Sequence, residues 1–349
     1  MKKSNKCPVF FPKAAEIRQF PMNTPPILSQ EELGCAMQKL RALAVAMNQV
    51  LFGQKDLIEL VLIGVLARGH ILLEGLPGLG KTELVKGLSR ALDITARRVQ
   101  FTPDLLPGDI TGTPVLQERD GTKNFIFQEG PVFANIMLAD EINRASPKTQ
   151  SALLEAMEER QVTVDGTTYP LQKPFAVIAT QNNVGTAGTQ LLPYAQMDRF
   201  LVRLSIGYPD YEAQMSILRD RQSTDPIGSV AQVVTRDDVL RMQAEVRAVT
   251  AKDSILDYIT RLAMASREHP MVEVGISPRG TLFLDRMAKA HAYLEGRDYV
   301  TGGDVQAIFH DVCAHRVILN QKSRLSGGTV TQVLNELLET VEVPDRRQA

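Results

Sequence analysis

A glycine-rich stretch at residues 75–82, Gly-Leu-Pro-Gly-Leu-Gly-Lys-Thr, has the spacing of a loop that binds phosphate groups. Its glycines let successive backbone N–H groups turn inward around the phosphates, Lys81 can reach the β- and γ-oxygens, and the Thr82 hydroxyl can hold Mg²⁺. The stretch lies between an apolar run at 70–74 and a helical pattern at 82–92, as this chemistry requires. A glycine-rich turn without a ligand is the alternative. The other residues expected to bind the phosphates are Gly75, Pro77, Gly78 and Gly80.

Two acids end a second apolar strand pattern, residues 136–141, Ile-Met-Leu-Ala-Asp-Glu. Such a strand can deliver Asp140 to the Mg²⁺ shell while Glu141 polarises the water that attacks the γ-phosphate. Taken alone, an apolar strand followed by two acids is a common way to leave a sheet. Because a phosphate loop precedes this strand, we interpret Asp140 as a Mg²⁺ ligand and Glu141 as the residue that activates the water.

Polar residues also follow the next apolar run, at 175–182, which ends on Asn182. From a strand next to Asp140, this amide could hydrogen-bond the γ-phosphate or the attacking water; a turn-forming asparagine is the alternative. Arg199 follows Asp198 a little further along the chain. Such a neighbouring pair, taken alone, is more typical of a surface ion pair than of a catalytic arginine.

Short apolar runs predict the strands that must position these residues: 70–74, 98–101, 136–139, 175–180 and 201–206. Helical segments such as 147–160 separate most of them, so we predict an α/β fold, an αβα sandwich around a mainly parallel sheet. Two stretches interrupt the alternation. Residues 111–127, around Asp120-Gly121, and residues 161–169, around Asp165-Gly166, are typical of β-hairpins inserted into the core.

Composition divides the chain further. Residues 1–28 contain five prolines and are predicted to form an extended arm. Residues 29–222 make up the nucleotide-binding domain with its two hairpins. Polar and turn-forming residues around 221–234 indicate a linker, and residues 235–349 have a helical pattern nearly to their end, which predicts a second, smaller, all-helical domain with a tail.

Charge and hydropathy exclude several functions. The 349 residues include 39 Lys and Arg against 40 Asp and Glu, a net charge of −1, so no nucleic-acid partner is expected. The longest apolar stretch, 60–67, is far shorter than the ~20 residues of a membrane-spanning helix. Prolines interrupt any secretory signal near the start, and the 3 cysteines suit a reducing compartment, so we expect a cytoplasmic protein.

The ordered motifs resemble those of the AAA+ ATPases and, among these, of the MoxR family. The most specific block is 140–160, Asp-Glu-Ile-Asn-Arg-Ala-Ser-Pro-Lys-Thr-Gln-Ser-Ala-Leu-Leu-Glu-Ala-Met-Glu-Glu-Arg, which is similar to the family signature almost residue for residue. Supporting blocks lie at 101–109, 179–182, 207–210, 277–279 and 294–300. The resemblance covers roughly residues 35–320.

The resemblance implies an AAA+ core with a helical lid, working as a hexameric ring that hydrolyses ATP with Mg²⁺ to ADP and phosphate. By matching position it makes Arg199 the arginine finger for a neighbouring subunit and Arg279 the sensor 2 residue of the lid. Arg144 is a rival candidate for the finger. The hairpins become the helix 2 insertion and the insertion before sensor 1. The other implied roles are Walker A for Lys81 and Thr82, Walker B for Asp140 and Glu141, and sensor 1 for Asn182.

The resemblance also implies a chaperone-like task, in which the ATPase remodels a partner or assists its maturation, often a protein with a von Willebrand A domain. Two alternatives stay open: a ring ATPase for chelatase or gas-vesicle assembly, and a nucleotide-gated scaffold that hydrolyses ATP very slowly. Intact Glu141 and Asn182 count against the scaffold. The sequence departs from the family pattern at Asn183, where proline is usual, and at Tyr194, where glutamate is usual near the expected subunit interface.

Overall fold

A five-stranded parallel sheet forms the centre of the first part of the chain, in a computed structural model that describes residues 30–76, 78–119, 122–181, 192–220, 228 and 230–344. Its strand order is β2-β5-β8-β1-β9, and every neighbouring pair is parallel. The strands are β1 (Ile71–Glu74), β2 (Ala96–Gln100), β5 (Ile136–Asp140), β8 (Ala176–Gln181) and β9 (Val202–Ser205). The predicted α/β fold is therefore confirmed.

Burial explains why the inner strands were visible in the sequence. Strands β1, β5 and β8 are buried along nearly their whole length, so both faces need apolar side chains and the runs are continuous. Strand β2 is different. It lies at the edge of the sheet, and its Arg97, Arg98 and Gln100 are exposed, so the strand predicted at 98–101 is present but is not a buried apolar run.

Helices cover the two faces of the sheet. Side chains alternate along β1: Ile71 and Leu73 join one apolar cluster, with α1, α2 and α3, while Leu72 joins a second, with α5. The helices of this part are α1 (Gln30–Asn48), α2 (Lys55–Leu66), α3 (Lys81–Ala91), α4 (Pro107–Thr111), α5 (Pro147–Glu159), α6 (Tyr194–Met197) and α7 (Tyr211–Asp220).

Both predicted hairpins are present in the described residues. Strand β3 (Gly112–Arg119) pairs with β4 (Thr122–Glu129), and β6 (Gln161–Val164) pairs with β7 (Thr167–Pro170). Asp120-Gly121 lies outside the described residues. In the second turn Asp165 and Gly166 both have positive φ, 47° and 77°, as a two-residue hairpin turn of this type requires. The rings of Phe127 and Tyr169 stack at 4.1 Å and join the two hairpins.

A mainly helical part follows, although the predicted linker at 221–234 falls largely outside the described residues. Its apolar side chains continue the first cluster, and Gln243 donates a hydrogen bond to the Val65 carbonyl of α2 at 2.8 Å. Its helices are α8 (Arg236–Ala248), α9 (Asp253–Glu268), α10 (Pro278–Leu294), α11 (Gly302–Cys313), α12 (Gln321–Leu325) and α13 (Val330–Thr340). A short antiparallel pair, β10 (Val272–Val274) with β11 (Ile318–Leu319), lies among them. The all-helical prediction missed these strands because two or three residues are too few to give a periodic pattern.

No helix in the described residues is long and apolar enough to cross a membrane.

Candidate nucleotide site and arginine edge

The glycine-rich loop joins the end of β1 to the first turn of α3. Gly75, Gly78 and Gly80 have φ of 154°, 84° and 89°, which L side chains rarely adopt. At Gly75 a Cβ would also lie 2.5 Å from Cγ2 of Ile206. The backbone of the loop therefore depends on glycine, as a loop that wraps phosphates does. Pro77 lies outside the described residues.

Lys81 points back into this loop. Its Nζ donates to the Gly75 carbonyl at 2.5 Å, and Thr82 follows it in the first turn of α3, where the helix dipole favours anions. Partial burial lowers the pKa of Lys81, while Asp140, Glu141 and Glu74 oppose that shift. The ammonium group thus lies between a phosphate-type loop and a group of carboxylates.

Thr180 joins Asp140, the last residue of β5, to Glu141, the residue that follows it. Its Oγ1 donates to Oδ1 of Asp140 at 2.6 Å and accepts from the backbone N–H of Glu141 at 2.9 Å. Glu141 has the left-handed conformation, φ 55° and ψ 49°, which turns the chain sharply after the strand. Sequence reasoning gave Thr180 no role. The available signal was its place near the end of the strand that was predicted to follow β5.

Three side chains hold the outer oxygens of these acids. Arg98 donates to Oδ2 of Asp140 at 2.8 Å, while Gln100 and Arg144 both donate to Oε2 of Glu141, at 2.9 and 2.7 Å. Arg98 and Gln100 belong to the edge strand, and sequence reasoning missed both. Arg144, the rival finger candidate, is engaged with the acid of its own chain.

The donor set fits Mg²⁺. The Thr82 hydroxyl and an Asp140 carboxylate oxygen are hard ligands, and Mg²⁺ is commonly held by one or two protein oxygens together with phosphates and water. Arg98 does not block the Asp140 carboxylate permanently, because its side chain is 52% exposed and can turn toward solvent. Among the described residues, no group of three or more His, Cys, Asp or Glu side chains is placed to hold a metal without a nucleotide. Asn182 lies outside the described residues.

Arg199 and Arg279 lie at the other ends of the strands, where β1 begins. We call this side of the sheet the arginine edge, and the side where β1 and β5 end the acid edge. Both arginines pair with Glu158: Nε of Arg199 lies 3.0 Å from Oε2, and Arg279 contacts Oε1. Helix α5 starts beside the acids and has 13 residues, so its end is about 20 Å away. At that end the Met157 carbonyl contacts His70, the residue before β1, at 3.0 Å. Arg279 is therefore placed with Arg199, far from the phosphate loop of its own chain.

A buried network fixes this arginine edge. Asp198 accepts from Oγ of Ser277 at 2.9 Å and from Nε of Arg316 at 3.0 Å, so Asp198 pairs with Arg316 while Arg199 pairs with Glu158. The Arg316 side chain is fully buried and also donates to the carbonyls of residues 200, 201 and 312. Because Ser277 caps α10, the turn that carries Arg199 and the helix that carries Arg279 are fastened together. Tyr194 donates to the Arg316 carbonyl at 3.0 Å.

Comparisons with known proteins agree with this two-part architecture. Residues 70–202 match the ATPase family associated with various cellular activities (AAA), and residues 264–337 match the AAA lid domain. The chain is 38% identical to Chaperone MoxR1 of Mycobacterium tuberculosis over 333 residues, which cover 93% of this chain and 87% of that protein. The chain belongs to the MoxR family of AAA+ ATPases.

Two other relatives cover the chain to a similar extent. YeaC of Bacillus subtilis is 44% identical over 302 residues, 86% of this chain and 94% of that protein. The crystal structure of a candidate ATPase from Cytophaga hutchinsonii superposes with a TM-score of 0.84 at 39% identity, and covers 90% of this chain and 98% of that one. AAA+ family membership supports nucleotide binding and an ATPase activity in general, and AAA+ ATPases commonly form oligomeric rings.

Proposed function

We propose that this MoxR-family protein is a Mg²⁺-dependent ATPase that works as a hexameric ring and remodels or helps to assemble a partner protein. The observation that carries the ATPase is the junction at Thr180, which holds Asp140 and Glu141 together at the strand end nearest Lys81. The name of the mycobacterial relative, a chaperone, supports the remodelling task.

The chemistry follows from what each side chain can reach. The glycine loop and Lys81 bind the phosphates, and Thr82 and Asp140 hold Mg²⁺, which neutralises phosphate charge when bound. Oε2 of Glu141 already accepts two hydrogen bonds, so Oε1 is the oxygen that orients the attacking water and takes its proton. Asn182 follows β8, next to β5, and contributes its amide to the γ-phosphate or the water.

Arg199 and Arg279 complete the site of a neighbouring subunit. Neither can reach the phosphates of its own chain, since α5 separates their partner Glu158 from the acids by about 17 Å. Glu158 holds the two guanidinium groups together, and a γ-phosphate of the adjacent subunit would replace this carboxylate. An arginine finger of this kind contributes ~10³- to 10⁵-fold in rate.

Partner contact is assigned to the hairpins. Leu116 and Phe125 face each other across β3 and β4 and are 51% and 75% exposed, unusual for large apolar side chains on a free surface. We propose a protein with a von Willebrand A domain as the partner. Replacing both side chains by serine, Leu116→Ser with Phe125→Ser, should spare basal ATP hydrolysis and abolish any change in rate that this partner causes. Equal loss of both would count against a separate coupling role.

Steady-state phosphate release and nucleotide binding test the ATPase. Lys81→Ala should lose ATP binding, because the phosphates lose their cation. Glu141→Gln should bind ATP normally and turn over ~10²- to 10⁴-fold more slowly, because it lacks the base. Turnover by Glu141→Gln at the wild-type rate would show that another group activates the water. Absence of hydrolysis by the wild-type protein, with normal ATP binding, would favour the nucleotide-gated scaffold.

A further inference from the structure

A cavity of about 240 Å³ opens at the arginine edge. It lies between the start of β1, the end of α5 and the first turns of α10. Its apolar lining includes Met157 and Phe283, and His70 also lines it. The arginines that line it are Arg68, Arg160, Arg199, Arg279 and Arg286.

The side chains that line this cavity carry an excess of positive charge. Glu158 is the acid among its lining residues, and it is shared between Arg199 and Arg279. In the described part of the chain, no ion pair involves Arg68, Arg160 or Arg286. Asp285, beside Arg286, is paired with Lys289 at 3.1 Å.

The local contacts hold these arginines close together rather than separating them. Nη2 of Arg160 donates to the backbone carbonyl of Arg68 at 2.7 Å, and the guanidinium of Arg286 lies 5.5 Å from the centre of the Phe283 ring. Burial, and then repulsion from Arg68, Arg286 and Arg247, lowers the pKa of Arg160 to about 10. Half-buried cations that repel one another cost folding free energy, and an anion in the cavity would offset that cost.

His70 adds no charge. Burial, and then Arg160, lowers its pKa to about 3, so the ring is neutral. Its Nδ1 accepts from the backbone N–H of Val177 at 2.9 Å, and its Nε2 donates to the Met157 carbonyl. The histidine thus fastens α5 to the sheet, and the cavity recognises its ligand through guanidinium groups.

We propose that Arg68, Arg160 and Arg286 make this cavity a binding site for phosphate groups, adjacent to Arg199 and Arg279. The planar fork of a guanidinium matches phosphate oxygens in a bidentate manner, and several forks favour an anion with two or more charges. The volume lies below the ~300–1,000 Å³ of cavities that enclose drug-sized ligands, so it suits phosphates rather than a whole nucleotide. The phosphate groups have two possible sources. One is the ATP of an adjacent subunit, and for that source the inference rests on the proposed function. The other is free phosphate or polyphosphate.

Calorimetric titration of the full chain with tripolyphosphate tests the site itself. Lys81→Ala should be the starting protein, because it removes phosphate binding by the glycine loop. We expect one tripolyphosphate per chain and at least a tenfold loss of affinity on adding Arg160→Gln or Arg286→Gln, since each removes a charge-assisted contact. Arg261→Gln, an exposed arginine of α9 paired with Asp257, is the control and should bind as the starting protein does. Thermal unfolding should show that the variants are folded, because each loses a repelled cation.

No binding of tripolyphosphate by Lys81→Ala, or equal affinity in all of these variants, would overturn the site. The source is then read from ATP hydrolysis by Arg160→Gln and Arg286→Gln with Lys81 intact. Slower turnover with unchanged ATP binding assigns the cavity to the neighbour's ATP, whereas wild-type turnover assigns it to free phosphate. Slower turnover without any loss of tripolyphosphate affinity would overturn the anion site and leave the proposed ATPase standing.

Discussion

The two edges of the central sheet differ in how their charges are balanced. At the edge where β1 and β5 end, Lys81, Arg98 and Arg144 face Asp140, Glu141 and Glu74, and each acid has a cation or hydrogen-bond donor nearby. At the edge where β1 begins, Glu158 faces a group of arginines. In our proposal the first edge binds the phosphates of ATP and activates the water that attacks the γ-phosphate, and the second edge stabilises added negative charge. Because α5 separates them by about 20 Å, we propose that one chain contributes two complementary halves to the sites it shares with neighbouring subunits.

The largest effect that would test this comparison comes from Arg199→Ala. If the arginine edge serves a neighbouring subunit, this variant should bind ATP as tightly as wild type and hydrolyse it ~10³- to 10⁵-fold more slowly. Phosphate release and nucleotide binding measure the two quantities. Wild-type turnover by Arg199→Ala would remove the finger assignment. Mixing it with Lys81→Ala should restore some activity, because some interfaces would pair a sound loop with a sound finger.

The next effect concerns the support of the arginine edge. Asp198→Asn removes the negative charge opposite the fully buried Arg316, so we expect the free energy of unfolding to fall by about 3 kcal/mol. We also expect kcat to fall with KM for ATP unchanged, because Asp198 positions Arg199 and Arg279 and does not touch the bound nucleotide. Asp198→Glu should recover part of kcat. Asp257→Asn, which breaks an exposed pair with Arg261, is the control and should cost less than about 1 kcal/mol. A fall in stability alone, with kcat intact, would reduce Asp198 to a folding role.

At the acid edge, Thr180→Val tests the junction between Asp140 and Glu141. The valine fills a similar volume but leaves an Asp140 oxygen and the Glu141 N–H without this partner. The free energy of unfolding should therefore fall by about 2 kcal/mol. Turnover should fall as the two acids lose their common orientation. Thermal or urea unfolding and phosphate release provide the measurements. Thr163→Val, which removes an exposed hydroxyl pair of the hairpin, should change neither. Wild-type turnover by Thr180→Val would show that the acids are oriented without it.

The smallest effect should come from Arg144→Ala. Its pair with Glu141 is 45% exposed on the arginine side, and exposed pairs contribute about 0–1 kcal/mol. We therefore expect turnover to change by less than about tenfold. A loss as large as that of Arg199→Ala would reverse our assignment and place the essential arginine at the acid edge.

Much of the acid edge could be predicted from the sequence, because its parts are local. Gly75 to Lys81 are consecutive, and Asp140 and Glu141 end a strand whose apolar run is visible. The contacts between those parts could not be predicted. Thr180 reaches Asp140 because β8 lies beside β5, and Arg98 reaches it because β2 lies on the other side of β5. A single sequence shows neither adjacency.

The arginine edge was predicted less well, for the same physical reason. Arg199 and Arg279 were found through motifs, but their shared contact with Glu158 depends on how α10 packs against α2 and on where α5 ends. Arg316 gave no signal, since a lone arginine in a helical pattern is usually exposed. Its complete burial follows from the carbonyls of residues 198, 200 and 201, which the chain places together only when it folds.

In our proposal ATP hydrolysis needs two subunits, so the rate per chain should depend on protein concentration. Phosphate release per chain should be measured over a dilution series together with sedimentation, which reports the assembled fraction. We predict that turnover per chain rises in proportion to assembly and is nearly absent in the monomer, while the monomer still binds ATP through Lys81. A monomer that hydrolyses ATP at the rate of the assembled protein would instead show that one chain contains a complete site and needs no arginine from a neighbour.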